Sequence, residues 1–267
     1  MSLLVAWQLK DRRVLIVGGG EIASQRMDSI LVTDASIAVI APEHRLNSRA
    51  RQLIACHHAR ITHHDRLFLG PSELHNIDMV LTALDDPERS REIVLMCRDA
   101  RIPVNAADIP DLCDFYFGAQ IRDGPLQIMI STNGNGPRLA SRIKERLQRA
   151  LSGGEGEAIT KVGRLRTLLK QKAPGIGGDQ GRRRMKWMTR LCNEWELEDF
   201  AQLDNAMMKS LLEDGWEKDR IPSLQDVGGT CSTRRYHQNF HSTIPLAVGF
   251  FVGVFTTALI TFFRHRK

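Results

Sequence analysis

The chain has 267 residues, 42% of them hydrophobic, which is enough for one filled domain and a smaller second one and too apolar for a disordered chain. A formal net charge of +6 at pH 7 points to an anionic partner, and composition leaves open whether that is nucleic acid, a membrane surface or a polyacidic small molecule. The cysteines Cys56, Cys97, Cys113, Cys192 and Cys231 are widely spaced without a Cys-x-x-Cys pair, which speaks against a disulfide framework or zinc knuckle and for a reducing compartment.

Met1–Trp7 is short and lacks a basic leader, so no export signal is expected. Arg13–Val17 and Ser36–Ile40 are apolar runs with a helix-compatible stretch, Glu21–Leu31, between them, which predicts a βαβ unit. The first run ends in Gly18-x-Gly20-x-x-Ala23. In such a turn Gly18 permits the tight bend, Gly20 lets backbone N–H groups approach a pyrophosphate, and Ala23 lets helix and strand pack closely. Gly18, Gly20, Glu21 and Ile22 are therefore expected to bind a dinucleotide. Pro42 and Glu43 follow the second strand, where Glu43 would accept hydrogen bonds from a ribose 2′-hydroxyl and repel a 2′-phosphate, favouring NAD over NADP. The bland alternative is a surface acid after a proline.

Cys56, His57 and His58, with His63, His64 and Asp65, superficially suggest a metal site. Adjacent histidines on a strand point to opposite faces, so a surface cluster is the reading and no metal ligands are assigned. Met79–Leu84 predicts a strand, Ser90–Ala100 a helix and Ile102–Asn105 a further strand. Strands alternating with helices predict an α/β class with a Rossmann-like, doubly wound parallel sheet. In Asp108-x-x-Asp111-x-x-Asp114, turn formation and a carboxylate base beyond the sheet's C-terminal edge are equally good readings. Leu126–Ser131 predicts one more strand, and Ser131-Thr132-Asn133-Gly134-Asn135-Gly136 leads to a helix near Pro137. That loop either cradles an anion through backbone amides and hydroxyls or simply needs glycines to turn.

From Pro137 the pattern is helical, with helices expected at Arg138–Leu151, Ala158–Lys172, Met185–Trp195 and Leu203–Leu212, broken at Ala173–Gly178. Lys and Arg outnumber Asp and Glu by fifteen to four between Arg138 and Arg190. Trp187 and Trp195, two helical turns apart, read as core or interface. Residues 217–243 are polar and suit a flexible tether. Ile244–Phe263 is uncharged and precedes Arg264-His265-Arg266-Lys267. It meets the ~20 residues a helix needs to cross a bilayer, so a tail anchor is expected over a buried core helix.

Through Gly18–Ala23, Val104–Phe115 and Ser131–Arg138 the chain resembles the siroheme synthase family over about residues 7–216. The resemblance implies an NAD-binding Rossmann domain (1–117), a dimerisation region (118–150), a smaller helical C-terminal domain (151–216) and a homodimer. It implies NAD-dependent oxidation of precorrin-2 to sirohydrochlorin and, in some members, insertion of ferrous iron as a second substrate. In that family the aspartate closing Asn-x-x-Asp is catalytic, which here is Asp108, and the tie over the Asp cluster is broken on that ground. Ser131, Thr132, Asn133 and Gly134 become the expected substrate-binding residues. The tetrapyrrole substrate carries eight carboxylates, which would give the basic helical region a purpose; interleaved aromatics are sparse, so nucleic acid is disfavoured. The tether and terminal helix depart from soluble members. They imply a cytosol-facing, tail-anchored protein of the mitochondrial outer membrane or endoplasmic reticulum. The rival reading is a membrane-tethered NAD-binding regulator without turnover.

Overall fold

The computed structural model describes residues 2–230. One compact unit comprises the chain up to 120 together with 129–145, and a second comprises 121–128 together with the chain from 146.

The first unit holds five parallel strands: β1 (Arg13–Val17), β2 (Ser36–Ile40), β3 (Ile61–His64), β4 (Met79–Thr82) and β5 (Val104–Ala106), in the order β3-β2-β1-β4-β5. Both faces of β1 are buried, as a sheet covered by helices on two sides requires. Val14 and Ile16 pack with Ala23, Met27 and Ile30 of α1 (Glu21–Leu31) and with Ala50 and Leu53 of α2 (Ser48–Cys56). Leu15 and Val17 pack on the other face with Ile93, Val94 and Cys97 of α3 (Pro87–Asp99). The chain order along the sheet reverses between β1 and β4, which opens a crevice at the strands' C-terminal ends.

Local chemistry moves several boundaries. α3 begins at Pro87 rather than Ser90 because Asp86 accepts from the N–H groups of Glu88 and Arg89, with Pro87 in the first helical turn. β5 starts at Val104 because the Ile102 N–H closes α3 on the Cys97 carbonyl at 2.8 Å. α2 and β3 had no clear periodic signal. α2 is started by Asn47, whose side chain accepts from the Ala50 N–H at 2.7 Å, and β3 is a short polar edge strand.

A two-stranded ribbon, β6 (Ala119–Asp123) and β7 (Leu126–Ile130), is followed by α4 (Pro137–Ala150). The second unit is helical: α5 (Glu155–Lys172), α6 (Gly178–Glu194), α7 (Leu197–Gln202) and α8 (Asn205–Ser210), continued by a π-helical turn over Leu211–Trp216. Its core gathers Leu165, Leu169, Trp187, Leu191, Leu203 and Met208. The helix expected over Leu203–Leu212 is divided. Leu203 ends α7 by leaving the helical conformation, with ψ at 125°, and Asp204 starts α8 by accepting from the Met207 N–H at 2.8 Å.

The expected tether is also corrected at its start. Trp187 Nε1 donates to the Arg220 carbonyl and Trp195 Nε1 to the Pro222 carbonyl, each at 3.0 Å, while Leu224 and Val227 are buried in the helical core. The indole donors thus bind residues beyond 217 to the unit. Residues 231–243 of that span and the expected membrane helix at 244–263 lie outside the described residues. Among the described residues no helix is long and apolar enough to cross a membrane.

Candidate active site

The site is built on the C-terminal ends of three adjacent strands. Val17, Thr82 and Ala106 end β1, β4 and β5 and stand side by side in the parallel register. Hydrogen bonds continue past the strands: Ala83 N–H to the Val17 carbonyl at 2.8 Å, and Ala107 N–H to the Thr82 carbonyl at 2.9 Å. The turn after β1 and the turn after β5 are therefore two strand spacings apart, about 10 Å.

After β1, Gly18 has φ +125°, and a Cβ there would lie 2.1 Å from the Ala83 carbonyl oxygen. Only glycine fits, because both the dihedral and the neighbouring strand exclude a side chain. Gly20 differs: its φ is −78°, and a Cβ would meet nothing within 4 Å. It precedes the start of α1, where no side chain caps the helix. Among the described residues no acceptor takes the first N–H groups of α1, which with the helix dipole make the arrangement that receives a phosphate. Glu21 is drawn aside, accepting from Gln25 Nε2 at 3.0 Å and Asn47 Nδ2 at 3.1 Å. Ile22 is half-buried behind it.

Pro42 and Glu43 lie beyond β2, as expected, in a short 3₁₀ turn. The Glu43 carboxylate is exposed and shared: Arg51 Nε lies 3.2 Å from Oε1, and His63 Nδ1 lies 3.6 Å from Oε2. Asp65 accepts from the Glu43 N–H at 2.6 Å. His63 also meets the Ala41 carbonyl through Nε2 at 2.8 Å. The residues that looked like a possible metal cluster in sequence thus include two that frame the Glu43 turn.

Asp108 follows β5 in a left-handed conformation, φ +60°, and is exposed. That conformation is uncommon for a residue with a Cβ and gathers at functional turns. Below it, Asn105 is buried and donates through Nδ2 to the Phe115 carbonyl at 2.8 Å and toward Cys113 Sγ at 3.3 Å. Cys113 Sγ donates in turn to the Ala106 carbonyl at 3.1 Å. Burial pushes the Cys113 thiol up, opposed by that backbone hydrogen bond and by the charge of Arg26. Asp114 serves the sheet edge, accepting from the Val104 N–H at 2.9 Å. Asp111 sits exposed in a 3₁₀ turn. The three acids of the motif therefore part: Asp114 does structural work, and Asp108 is exposed in the turn beyond the C-terminal end of β5.

Two buried polar atoms near the strand ends are unpaired, Thr82 on the α3 face of the sheet and Asn105 on the α1 and α2 face. Thr82 Oγ1, at the end of β4, and Asn105 Oδ1, on β5, have no hydrogen-bond partner among the described residues. Unpaired buried polar atoms are costly and rare, so the Thr82 hydroxyl, at the strand end beside the glycine turn, suits a polar ligand. The glycine turn and the orphaned Thr82 hydroxyl fit a dinucleotide.

The 131–134 loop follows β7 and leads into α4. Asn133 and Gly134 both have positive φ, 48° and 80°. Ser131 Oγ accepts from the Asn133 N–H at 3.2 Å, Thr132 Oγ1 from the Gly136 N–H at 3.3 Å, and Ser2 Oγ donates to Asn133 Oδ1 at 2.7 Å. The hydroxyls thus close the turn. Among the described residues none of these side-chain hydrogen bonds reaches the Asp108 turn.

Thr82, Arg51 and Arg26, which lie at these turns, were not singled out by the sequence, and Asn105 entered only as the first residue of the Asn-x-x-Asp motif. Their signals are faint: a threonine ending an apolar strand, an asparagine within β5, and arginines flanking the apolar stripes of α1 and α2.

Comparison with known proteins agrees with this architecture. A family described as putative NAD(P)-binding matches residues 5–119, the sirohaem biosynthesis protein central family matches 123–150, and the sirohaem biosynthesis protein C-terminal family matches 154–222. The chain is 42% identical over 226 residues to a siroheme biosynthesis protein of Schizosaccharomyces pombe, covering 85% of this chain and 83% of that one. It is 27% identical over 244 residues to a siroheme biosynthesis protein of Saccharomyces cerevisiae, covering 76% and 86%. The siroheme synthase of a Psychrobacter species is 33% identical over 183 residues, covering 68% of this chain and 35% of that longer one; this chain thus matches about a third of that relative's length. A solved structure titled SirC, precorrin-2 dehydrogenase, is similar in fold at TM-score 0.59 and 24% identity, covering 81% of this chain and 100% of that one. With matches along residues 5–222 and a 42% identical relative covered over most of its length, the chain belongs to the siroheme biosynthesis protein family.

Proposed function

We propose that this protein oxidises precorrin-2 to sirohydrochlorin with NAD and then inserts ferrous iron to give siroheme. The observation that carries this reading is Asp108, held at left-handed φ at the end of β5, two strands from a glycine turn that fits a dinucleotide. Bound NAD supplies the hydride acceptor. Asp108 accepts the proton that leaves the macrocycle as the hydride departs from another carbon, so the products are sirohydrochlorin, reduced cofactor and one proton passed to solvent. In the chelation step the same carboxylate accepts pyrrole N–H protons as iron enters. Glu43 holds the adenosine ribose and favours NAD over NADP. Ser131, Thr132, Asn133 and Gly134 bind the substrate through the turn they form.

The test is to incubate the full chain with precorrin-2 and NAD, follow reduced cofactor and sirohydrochlorin together, then add ferrous iron and follow siroheme. Equimolar formation of the first two products is expected. NAD binding without turnover would instead favour the regulator reading.

We propose further that α4 lies in a homodimer interface. Leu139, Ile143 and Leu147, spaced by four on one side of this helix, are 57%, 45% and 37% exposed, and a second copy would cover them. Residues 244–263 are proposed as a tail anchor in the mitochondrial outer membrane or endoplasmic reticulum, with the remainder facing the cytosol. The uncharged run and its basic end support this. Deleting 244–267 should move the activity to the soluble fraction, and activity that stays with membranes after the deletion would end the anchor reading.

A further inference from the structure

Arg26 projects from α1 about a turn and a half beyond Gly20. Its guanidinium carbon lies 4.0 Å over the centre of the Phe117 ring. Phe117 packs against Phe115 with ring centres 5.9 Å apart, and the Phe115 carbonyl is the one held by Asn105. Arg26 is thus tied to the wall that carries Asp108. It is half-buried, and burial holds it below the ordinary arginine range, while Cys113 and Asp108 act on it in the opposite sense.

Its hydrogen bonding is incomplete. Among the described residues no acceptor engages any of its N–H groups, and Asp108 influences it through space alone. Other arginines drawn toward the interior are satisfied. Arg60 reaches the carbonyls of Leu31, Thr33 and Ala35, and Arg183, which stacks on Trp216 at 4.2 Å, also donates to the Trp216 carbonyl. Stacking on Phe117 uses only one face of the Arg26 guanidinium. The planar edge, with its fork of donors, matches a carboxylate.

We infer that Arg26 is a substrate-docking residue that receives one carboxylate of the tetrapyrrole beside Asp108. The inference rests on the substrate class proposed above. A polyanionic macrocycle brought up to Asp108 meets like-charge repulsion, and a cation on the same wall offsets it at the place where the ring must approach the base. The dinucleotide pyrophosphate is the other anion nearby, but the open N–H groups at Gly20 already provide for it.

The test compares the full chain with Arg26→Met, which keeps apolar bulk over Phe117, and Arg26→Lys, which keeps the charge without the fork. Binding of uroporphyrin, an unreactive macrocycle with eight carboxylates, is measured by fluorescence beside NAD binding and the kinetics with precorrin-2. Arg26→Met should weaken uroporphyrin binding and raise KM for precorrin-2 by about ten- to a hundredfold, the loss of a charge-assisted hydrogen bond. NAD affinity and kcat should stay within about threefold, and Arg26→Lys should fall between. Unchanged macrocycle affinity overturns the inference, as does a loss confined to NAD, which would give Arg26 to the pyrophosphate. An unmodified chain that binds uroporphyrin without oxidising precorrin-2 would sink the proposed activity, and the binding comparison would still decide Arg26. If the unmodified chain does not bind the macrocycle at all, the docking role falls with it.

Discussion

The Asn105 amide nitrogen donates to the Phe115 carbonyl at 2.8 Å, so one side chain from β5 fastens the strand to the segment that returns past it. Asn105→Ala should leave that carbonyl unpaired and cost about 1–3 kcal/mol of stability, read as a lower urea midpoint with an unchanged slope. A midpoint equal to that of the unmodified protein would show the bond to be dispensable.

Asp108→Asn keeps the side chain's size and removes its basicity. Dehydrogenation should fall by about 10²–10⁴-fold with NAD affinity retained. Asp111→Asn and Asp114→Asn are the controls. Asp111 is exposed, and an asparagine at 114 can still accept from the Val104 N–H, so both variants should turn over within a few fold of normal. Near-normal rates for Asp108→Asn, with the fold intact, would transfer the proton to another group.

Gly18 and Gly20 separate folding from binding. Gly18→Ala forces a Cβ to 2.1 Å from a backbone oxygen at φ +125° and should be severely destabilised, by more than about 3 kcal/mol. Gly20→Ala has room in the folded chain, so its melting temperature should stay close to normal while NAD affinity drops at least about tenfold as the methyl enters the pyrophosphate space. Titration calorimetry beside thermal melts reads both.

For Glu43, selectivity is the readout. Glu43→Ala should narrow the preference for NAD over NADP, and its effect should be larger in kcat/KM for NAD than in stability, since the ion pair with Arg51 is exposed. Equal efficiency of the two cofactors with the unmodified protein would remove Glu43 from the ribose.

Cys97 links pH to stability. Burial, with the Asp114 charge adding to it, pushes its thiol up to about 12 from an ordinary value of 9.0. Below pH 9 both folded and unfolded chains keep the proton. Between about 9 and 12 the unfolded thiol ionises while the buried one does not, so stability contributed by this group is lost as pH rises through that window. Urea midpoints at pH 8 and pH 10.5 should therefore fall less for Cys97→Ala than for the unmodified protein.

The parallel sheet was legible because β1, β2 and β4 are apolar runs buried on both faces, and the turn after β1 has a glycine requirement visible in the residues themselves. β3 was not legible, since an edge strand reading Ile-Thr-His-His carries no apolar period. The break at Leu203 was hidden because its neighbours continue a helical pattern, and the competing N-cap of Asp204 won. In the site, Asp108 was found through family resemblance, not periodicity. Arg26 and Thr82 escaped because their significance lies in hydrogen bonds they do not make, which no spacing rule records. The polar composition after 217 suggested a loose linker, yet two indole N–H groups needed carbonyl partners and drew that stretch onto the core.

Those indoles have a further consequence. Trp187, Trp195 and Trp216 all belong to the helical core, whereas the nucleotide-binding unit carries only Trp7, set edge-on against Phe115 at 6.1 Å. Intrinsic emission therefore acts as an almost private reporter of the helical unit: a red shift on heating announces water reaching that core. A substitution of Trp7 by Phe would leave that signal nearly intact. The difference between the spectra of the unmodified chain and the Trp7 variant then isolates the single lamp beside Phe115, so that each half of the chain can be followed on its own as it melts.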